Sequence, residues 1–231
     1  MTVIDWFAGI GGFRLGLEPL GFQFIAHSEV DGYASKVYAK HWPGSVNLGD
    51  IREVKAEDIP DADMWVGGFP CEDISRCGRR KGLDGKKSGL WHEFARLIRT
   101  SRPRYVLLEN STSITVRGLG EVLADLADCG YDAEWDCLQA GTFGAPHPRA
   151  RTFILAYSSG LRYRAPENSV FAGRPRPKHD PWWATEPGIC RVDDGTSSRV
   201  DRLRCLGNAV VPAVVSWVGQ RILEVYRVEG R

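Results

Sequence analysis

Short apolar runs alternate with stretches of helical periodicity along residues 1–157, and that alternation restricts the chain to folds built from βαβ units. Thr2–Phe7 reads as a strand, a helix starts at about Gly12, Phe22–Ser28 is a second strand and Ala34–His41 a second helix. Met64–Gly67, Tyr105–Glu109, Tyr131–Leu138 and Thr152–Ala156 carry further strand patterns, with helical patterns at Leu90–Thr100 and Leu119–Cys129. The expected architecture is α/β, a mostly parallel sheet with helices on both faces. From Ser158 to about Ser198 the periodicity fades into Pro, Gly, Arg and Trp, as in an irregular insert or small lobe. Regular structure resumes at Val210–Tyr226, a terminal helix with Pro212 in its first turn. The expected division is a main domain over 1–157, a short insert over 158–198 and a C-terminal segment over 199–231.

Composition excludes little beyond disorder. Hydrophobic residues at 43% and charged residues at 26% suit a folded globular chain. A net charge of +1 excludes no partner, because nucleic-acid binding depends on where charge sits. The segment Arg76–Gly89 concentrates Arg76, Arg79, Arg80, Lys81, Lys86 and Lys87 against one acid, Asp84. The six cysteines form no CxxC pair, so no metal site is expected. With no basic n-region ahead of an apolar stretch and no run of membrane-spanning length, a cytoplasmic monomer away from membranes is expected.

Strand Thr2–Phe7 runs into Ala8-Gly9-Ile10-Gly11-Gly12, where missing Cβ atoms let backbone approach a ligand. Twenty positions after Gly9, Glu29 ends the second strand, and an acid there accepts hydrogen bonds from ribose hydroxyls. Three positions after Gly11 stands Arg14 rather than glycine, which disfavours a dinucleotide-binding dehydrogenase. Asp50, after the strand-like Val46–Leu48, is either an acceptor for an adenine amino group or a cap or turn former.

A second constellation follows. Gly67-Gly68-Phe69-Pro70-Cys71 leaves a strand, and Pro70 stiffens the turn that holds a thiol at the sheet's edge. Tyr105–Leu108 ends in Glu109-Asn110, placing a carboxylate at a strand's C-terminal edge, an active-site position in open α/β sheets. Pro146-His147-Pro148-Arg149-Ala150-Arg151 precedes another apolar strand, with both arginines on one side of the chain by alternation.

Taken in order, Asp5–Gly12, Glu29, Gly49-Asp50-Ile51, Pro70-Cys71 with Ser75, Glu109-Asn110, Arg149-x-Arg151 and Gly207-Asn208-Ala209-Val210 resemble the cytosine-5 DNA methyltransferase family. The resemblance covers nearly the whole chain except about residues 158 to 195. It implies a Rossmann-like class I methyltransferase fold, S-adenosylmethionine as methyl donor, double-stranded DNA as partner, a place in restriction-modification, and target recognition by the short insert. The implied donor contacts are Phe7, Ala8, Gly9, Gly11, Gly12, Glu29, Val30, Asp50, Ile51, Phe69, Asn208 and Val210. The last two are carried by a segment whose helix returns to pack beside the first strand. Read without the family, Gly207-Asn208 is a turn in which Asn208 caps the following helix, and both readings are compatible.

Cytosine carbon 5 is a poor nucleophile, so in this family a thiolate adds first to carbon 6 of a base flipped out of the duplex. The resemblance gives that addition to Cys71, acid catalysis at N3 to Glu109, the hold on O2 to Arg151, and support of the pocket's charge and thiol activation to Arg149. Ser75, Arg76, Arg79, Arg80, Lys81, Lys86 and Lys87 would contact DNA, although such a run by itself is most often a solvated turn. Glu72 and His147 stand where the family usually has Gln, and Ser111 where it commonly has Val; none replaces a chemical participant, but Glu72 adds negative charge near the DNA. Two alternatives stay open: a tRNA cytosine-5 methyltransferase, which shares these motifs, and a catalytically silent DNA-binding relic.

If the basic segment meets phosphates, neutralising Arg79, Arg80 and Lys81 together weakens duplex binding and flattens its salt dependence by roughly one slope unit per lost contact. Binding titrations across a salt series measure this; an unchanged slope would place the DNA surface elsewhere.

Overall fold

Met64-Trp65-Val66-Gly67 is apolar without alternation, the pattern of a strand covered on both faces. In the computed structural model, which describes residues 1–70, 89–159, 169–173 and 199–229, all four are buried. They form β4 of a sheet whose other strands are β1 (Thr2–Trp6), β2 (Gln23–Ser28), β3 (Val46–Asn47), β5 (Tyr105–Ser111), β6 (Tyr131–Gln139) and β7 (Ala150–Ser158). The spatial order is β3-β2-β1-β4-β5-β7-β6. The first five neighbours in this order pair in parallel, as expected, whereas β7 runs antiparallel to both β5 and β6.

The helices are α1 (Gly12–Leu17), α2 (Gly32–His41), α3 (Leu90–Ser101), α4 (Ile114–Arg117), α5 (Leu119–Asp128), α6 (Arg199–Asn208) and α7 (Pro212–Glu229). α3 buries Trp91, Phe94, Ala95, Leu97 and Ile98, a stripe at helical spacing. With α4 and α5, it covers the sheet face formed by Ile4, Trp6, Trp65, Val106 and Leu108. Trp91 Nε1 donates to Asp125 Oδ2 at 2.7 Å and fastens α3 to α5. The opposite face, formed by Val3, Met64, Val66, Tyr105 and Leu107, is covered by α1 and α7. Helices on both faces and a strand order that reverses between β1 and β4 make this a class I methyltransferase fold, with a crevice at the carboxyl ends of β1 and β4.

Two features depart from expectation. The insert is not wholly separate from the main domain, since Val170 and Phe171 are buried in the core beneath α7. Glu134 accepts from Val170 N, and Arg221 Nε donates to Val170 O at 3.2 Å. The structure also adds α6, and Asn208 ends that helix rather than capping α7, which starts at Pro212. Among the described residues no helix is long and apolar enough to cross a membrane.

α1 and α7 touch through backbone. A Cβ on Gly16 would stand 2.7 Å from Pro212 O and 2.8 Å from Val215 Cβ. Replacing glycine by alanine in a helix ordinarily gains about 1 kcal/mol, but overpacking costs about 1–3 kcal/mol, and at this site the clash is with main chain. Gly16→Ala should therefore lower unfolding free energy by about 1 kcal/mol in urea denaturation; a variant as stable as the parent would refute the close approach.

Candidate active site

The turn after β1 is built by two left-handed residues, Phe7 at φ 56° and Gly9 at φ 54°. Ala8 N donates to Ser28 O at 3.0 Å and Gly9 N to Glu29 Oε2 at 2.7 Å, so the turn is tied to the end of β2. The other oxygen of Glu29 accepts from Asp31 N at 2.6 Å. Asp31 in turn caps α2, its Oδ1 accepting from Tyr33 N and Ala34 N. Each carboxylate oxygen offers two lone pairs, so Glu29 keeps acceptor capacity toward a ligand. Gly11, at φ 85°, stands at the N-cap of α1, and a Cβ there would meet the Trp42 ring at 2.3 Å.

A cavity of about 380 Å³ opens beside this turn. Of the expected donor contacts, Phe7, Ala8, Gly9, Gly12, Glu29, Val30, Asp50, Ile51, Phe69, Asn208 and Val210 all line it; Gly11 does not. A Cβ on Gly9 would meet nothing within 4 Å, whereas one on Gly12 would stand 2.9 Å from Val210 O. Gly9 thus leaves bare backbone at the cavity, and Gly12 admits the segment that enters α7. Asp50 lines the cavity, and its carboxylate forms a turn, accepting from Arg52 N and pairing with the Arg52 guanidinium.

The same cavity reaches Gly68, Phe69, Pro70, Glu109, Asn110 and Arg151. Asn110 Nδ2 donates to Phe69 O at 3.3 Å, and the Phe69 ring packs on Trp91 with centroids 5.2 Å apart. Side chain and ring together hold the turn that leads to residue 71. Cys71, Ser75, Arg76, Arg79, Arg80, Lys81, Lys86 and Lys87 lie outside the described residues, so the expected nucleophile adjoins the last described residue of that turn, Pro70.

Glu109 is buried, and its Oε2 lies 3.1 Å from where a Cβ on Gly68 would stand. Burial pushes its carboxyl up to about 7, against the opposing charges of Arg151 and Arg149. Arg151 Nε lies 3.0 Å from Glu109 Oε1, an ion-pair contact whose N–H is not aligned for a hydrogen bond. β-Register explains the meeting: Ser111 pairs with Arg151, so Glu109 and Arg151 share one sheet face as diagonal neighbours. Arg149, whose charge also acts on Glu109, is tied to the C-terminal segment. Its Nη2 donates to Gly207 O at 2.8 Å and Ala209 O at 2.7 Å, at the corner between α6 and α7.

Asp31, Arg204 and Cys205 also line the cavity, and sequence reasoning missed them. Asp31 carried a usable signal, since an aspartate directly before a helical run is a strong N-cap. The other two sit on α6, in the stretch 202–210 that resembles the family's last motif, of which only Asn208 and Val210 were assigned to the donor.

Residues 1–181 match the family model described as C-5 cytosine-specific DNA methylase. The chain is 36% identical over 168 residues to the type II methyltransferase M.NgoBI of Neisseria gonorrhoeae, covering 71% of this chain and 53% of that protein. It is 30% identical over 221 residues to M.BsuFI of Bacillus subtilis, covering 89% of this chain and 54% of the relative. The Entamoeba histolytica methyltransferase EhMeth has the same fold at a TM-score of 0.61 and 20% identity, over 70% of this chain and 54% of that one. The chain spans about half the length of the curated relatives it matches. Crevice, ordered residues and sequence likeness agree: the chain belongs to the C-5 cytosine-specific DNA methylase family.

Proposed function

We propose that the protein is a DNA cytosine-5 methyltransferase acting through a covalent Cys71 adduct. The observation that carries the reading is the single cavity in which Glu29 and Asn208 at one end meet Glu109, Arg151 and the Pro70 turn at the other. A nucleoside-bearing donor fits the first end, where Glu29 retains lone pairs and bare backbone at Gly9 replaces a side chain. Bound there, S-adenosylmethionine would supply an electrophilic methyl group.

At the other end the chain's own groups divide the work. The Cys71 thiolate forms a bond to carbon 6 of the flipped base, and the displaced electron pair makes carbon 5 nucleophilic. Glu109, with a carboxyl raised to about 7 by burial, holds a proton for N3 near neutral pH and hands it over as charge develops there. Arg151, beside Glu109, donates to the base O2. After carbon 5 takes the methyl group and loses its proton, the bond to carbon 6 breaks and the Cys71 thiolate leaves. The basic residues of 75–87 are assigned to the DNA phosphates, and the 158–198 segment to reading the target.

The retained proton has a thermodynamic signature. A carboxyl whose folded pKa exceeds its unfolded value contributes stability that is complete below the unfolded value, 4.5, and lost as pH rises through about 7. Glu109→Gln removes this contribution. The stability of the parent relative to the variant should therefore fall by roughly 2–3 kcal/mol between pH 5 and pH 8. Denaturant titrations at both values measure it, and a constant difference would mean that Glu109 is ionised throughout.

DNA carrying 5-fluorocytosine tests the covalent chemistry, because fluorine at carbon 5 blocks the elimination that frees the enzyme. A denaturation-resistant adduct is expected only with S-adenosylmethionine present, through a peptide containing Cys71, and not with Cys71→Ala. Trapping by tRNA but not duplex DNA would overturn the substrate, and trapping by neither would overturn the reaction.

A further inference from the structure

α6 forms one wall of the cavity, contributing Arg204, Cys205 and Asn208. From Val200 to Asn208 none of its side chains is buried, and Leu203 and Leu206 are 43% and 60% exposed. Apolar burial therefore does not hold this helix in place. Two arginines do. Arg204 Nη2 reaches across the cavity mouth to Asp31 Oδ2 at 2.8 Å, on the residue that caps α2. From the far side, Arg149 Nη2 bonds to the Gly207 and Ala209 carbonyls. Carbonyls of a helix's last turn lack intrahelical partners, and a cation is favoured at that end, so the guanidinium answers a defined need.

We propose that Arg149 is a positioning residue of the donor wall, which fixes the α6–α7 corner and so keeps the two ends of the cavity in one continuous space. The inference rests on the reading of this cavity as a site for S-adenosylmethionine. Arg151 stands two positions along the same strand entry and is paired with Glu109, whereas the hydrogen bonds of Arg149 go to the α6–α7 corner, although its charge is felt at Glu109. Were Arg149 instead a charge for the base end, its loss would slow transfer without touching donor affinity.

The experiment measures S-adenosylmethionine binding to the whole chain by calorimetry, steady-state KM and kcat, and hydrogen exchange over residues 199–209 without cofactor. Arg149→Gln should weaken binding and raise KM for the donor by about tenfold or more, the scale of losing two charge-assisted hydrogen bonds, with a much smaller change in kcat at saturation. Exchange over 199–209 should rise as α6 loosens. Arg149→Lys should recover part of the affinity, and Arg204→Gln, at an exposed position, should weaken binding in the same direction from the other clamp. Donor affinity within twofold of the parent in both Arg149 variants, or a fall confined to kcat, would overturn the proposal. Failure of the unsubstituted protein to bind S-adenosylmethionine would instead overturn the reading of the cavity, a distinct result because it precedes any substitution.

Discussion

At Gly12 and Gly16 the backbone of α1 passes so near Val210 and Pro212 that a methyl group on either glycine would fall inside van der Waals contact. Gly219, further along α7, instead makes room for the Leu17 side chain, whose Cδ2 would stand 2.4 Å from a Cβ there. Main chain packed on main chain leaves little slack, since neither partner can rotate away as a side chain can. The crossing draws the C-terminal segment onto the first turn of the fold, so residues 200 positions apart share one cavity.

The carboxyl edge of the sheet also holds groups that weaken the fold. Asp5 is fully buried with neither oxygen hydrogen-bonded, and burial, with the charge of Glu29, holds its carboxyl well above the usual range. His27, paired with Asp5 across β1 and β2, is lowered by burial to about 4 and stacks neutral on Tyr38. With these groups uncharged, the ionic groups of the cavity are Glu29, the pairs Asp31–Arg204 and Asp50–Arg52, and Arg151 beside Glu109. Asp31 and Asp50 are already paired, which leaves Glu29 as the carboxylate free of an arginine partner among the described lining residues.

Much of this was legible in the sequence because burial on both faces writes itself as an unbroken apolar run: the bounds read for β4 coincide with the strand observed. The strands β5 and β7 extend past their expected ends, as polar residues at a sheet's edge join the ladder without adding to the apolar pattern. The helix α6 was illegible for the converse reason, because a helix with no buried face has no apolar period to betray it. The partners of Arg149 were equally invisible, being carbonyl groups that every residue type possesses. Eleven of the twelve donor contacts that the family resemblance implies line one cavity, because most of them sit at strand ends and turns on the carboxyl edge of the sheet.

The antiparallel course of β7 makes the site a matter of registration. Glu109 and Arg151 are 42 positions apart, and only the pairing of Ser111 with Arg151 brings them together. Insertions at the exposed residues 146–148 of the connection between β6 and β7 leave that pairing untouched. One residue added between Arg151 and Phe153 would move the arginine by about 3.4 Å along the strand and turn it to the other face of the sheet. Tolerance to length change therefore alternates along this stretch of chain, from permissive at residues 146–148 to forbidding from Arg149 onward, and drift in the gene is expected to follow that boundary.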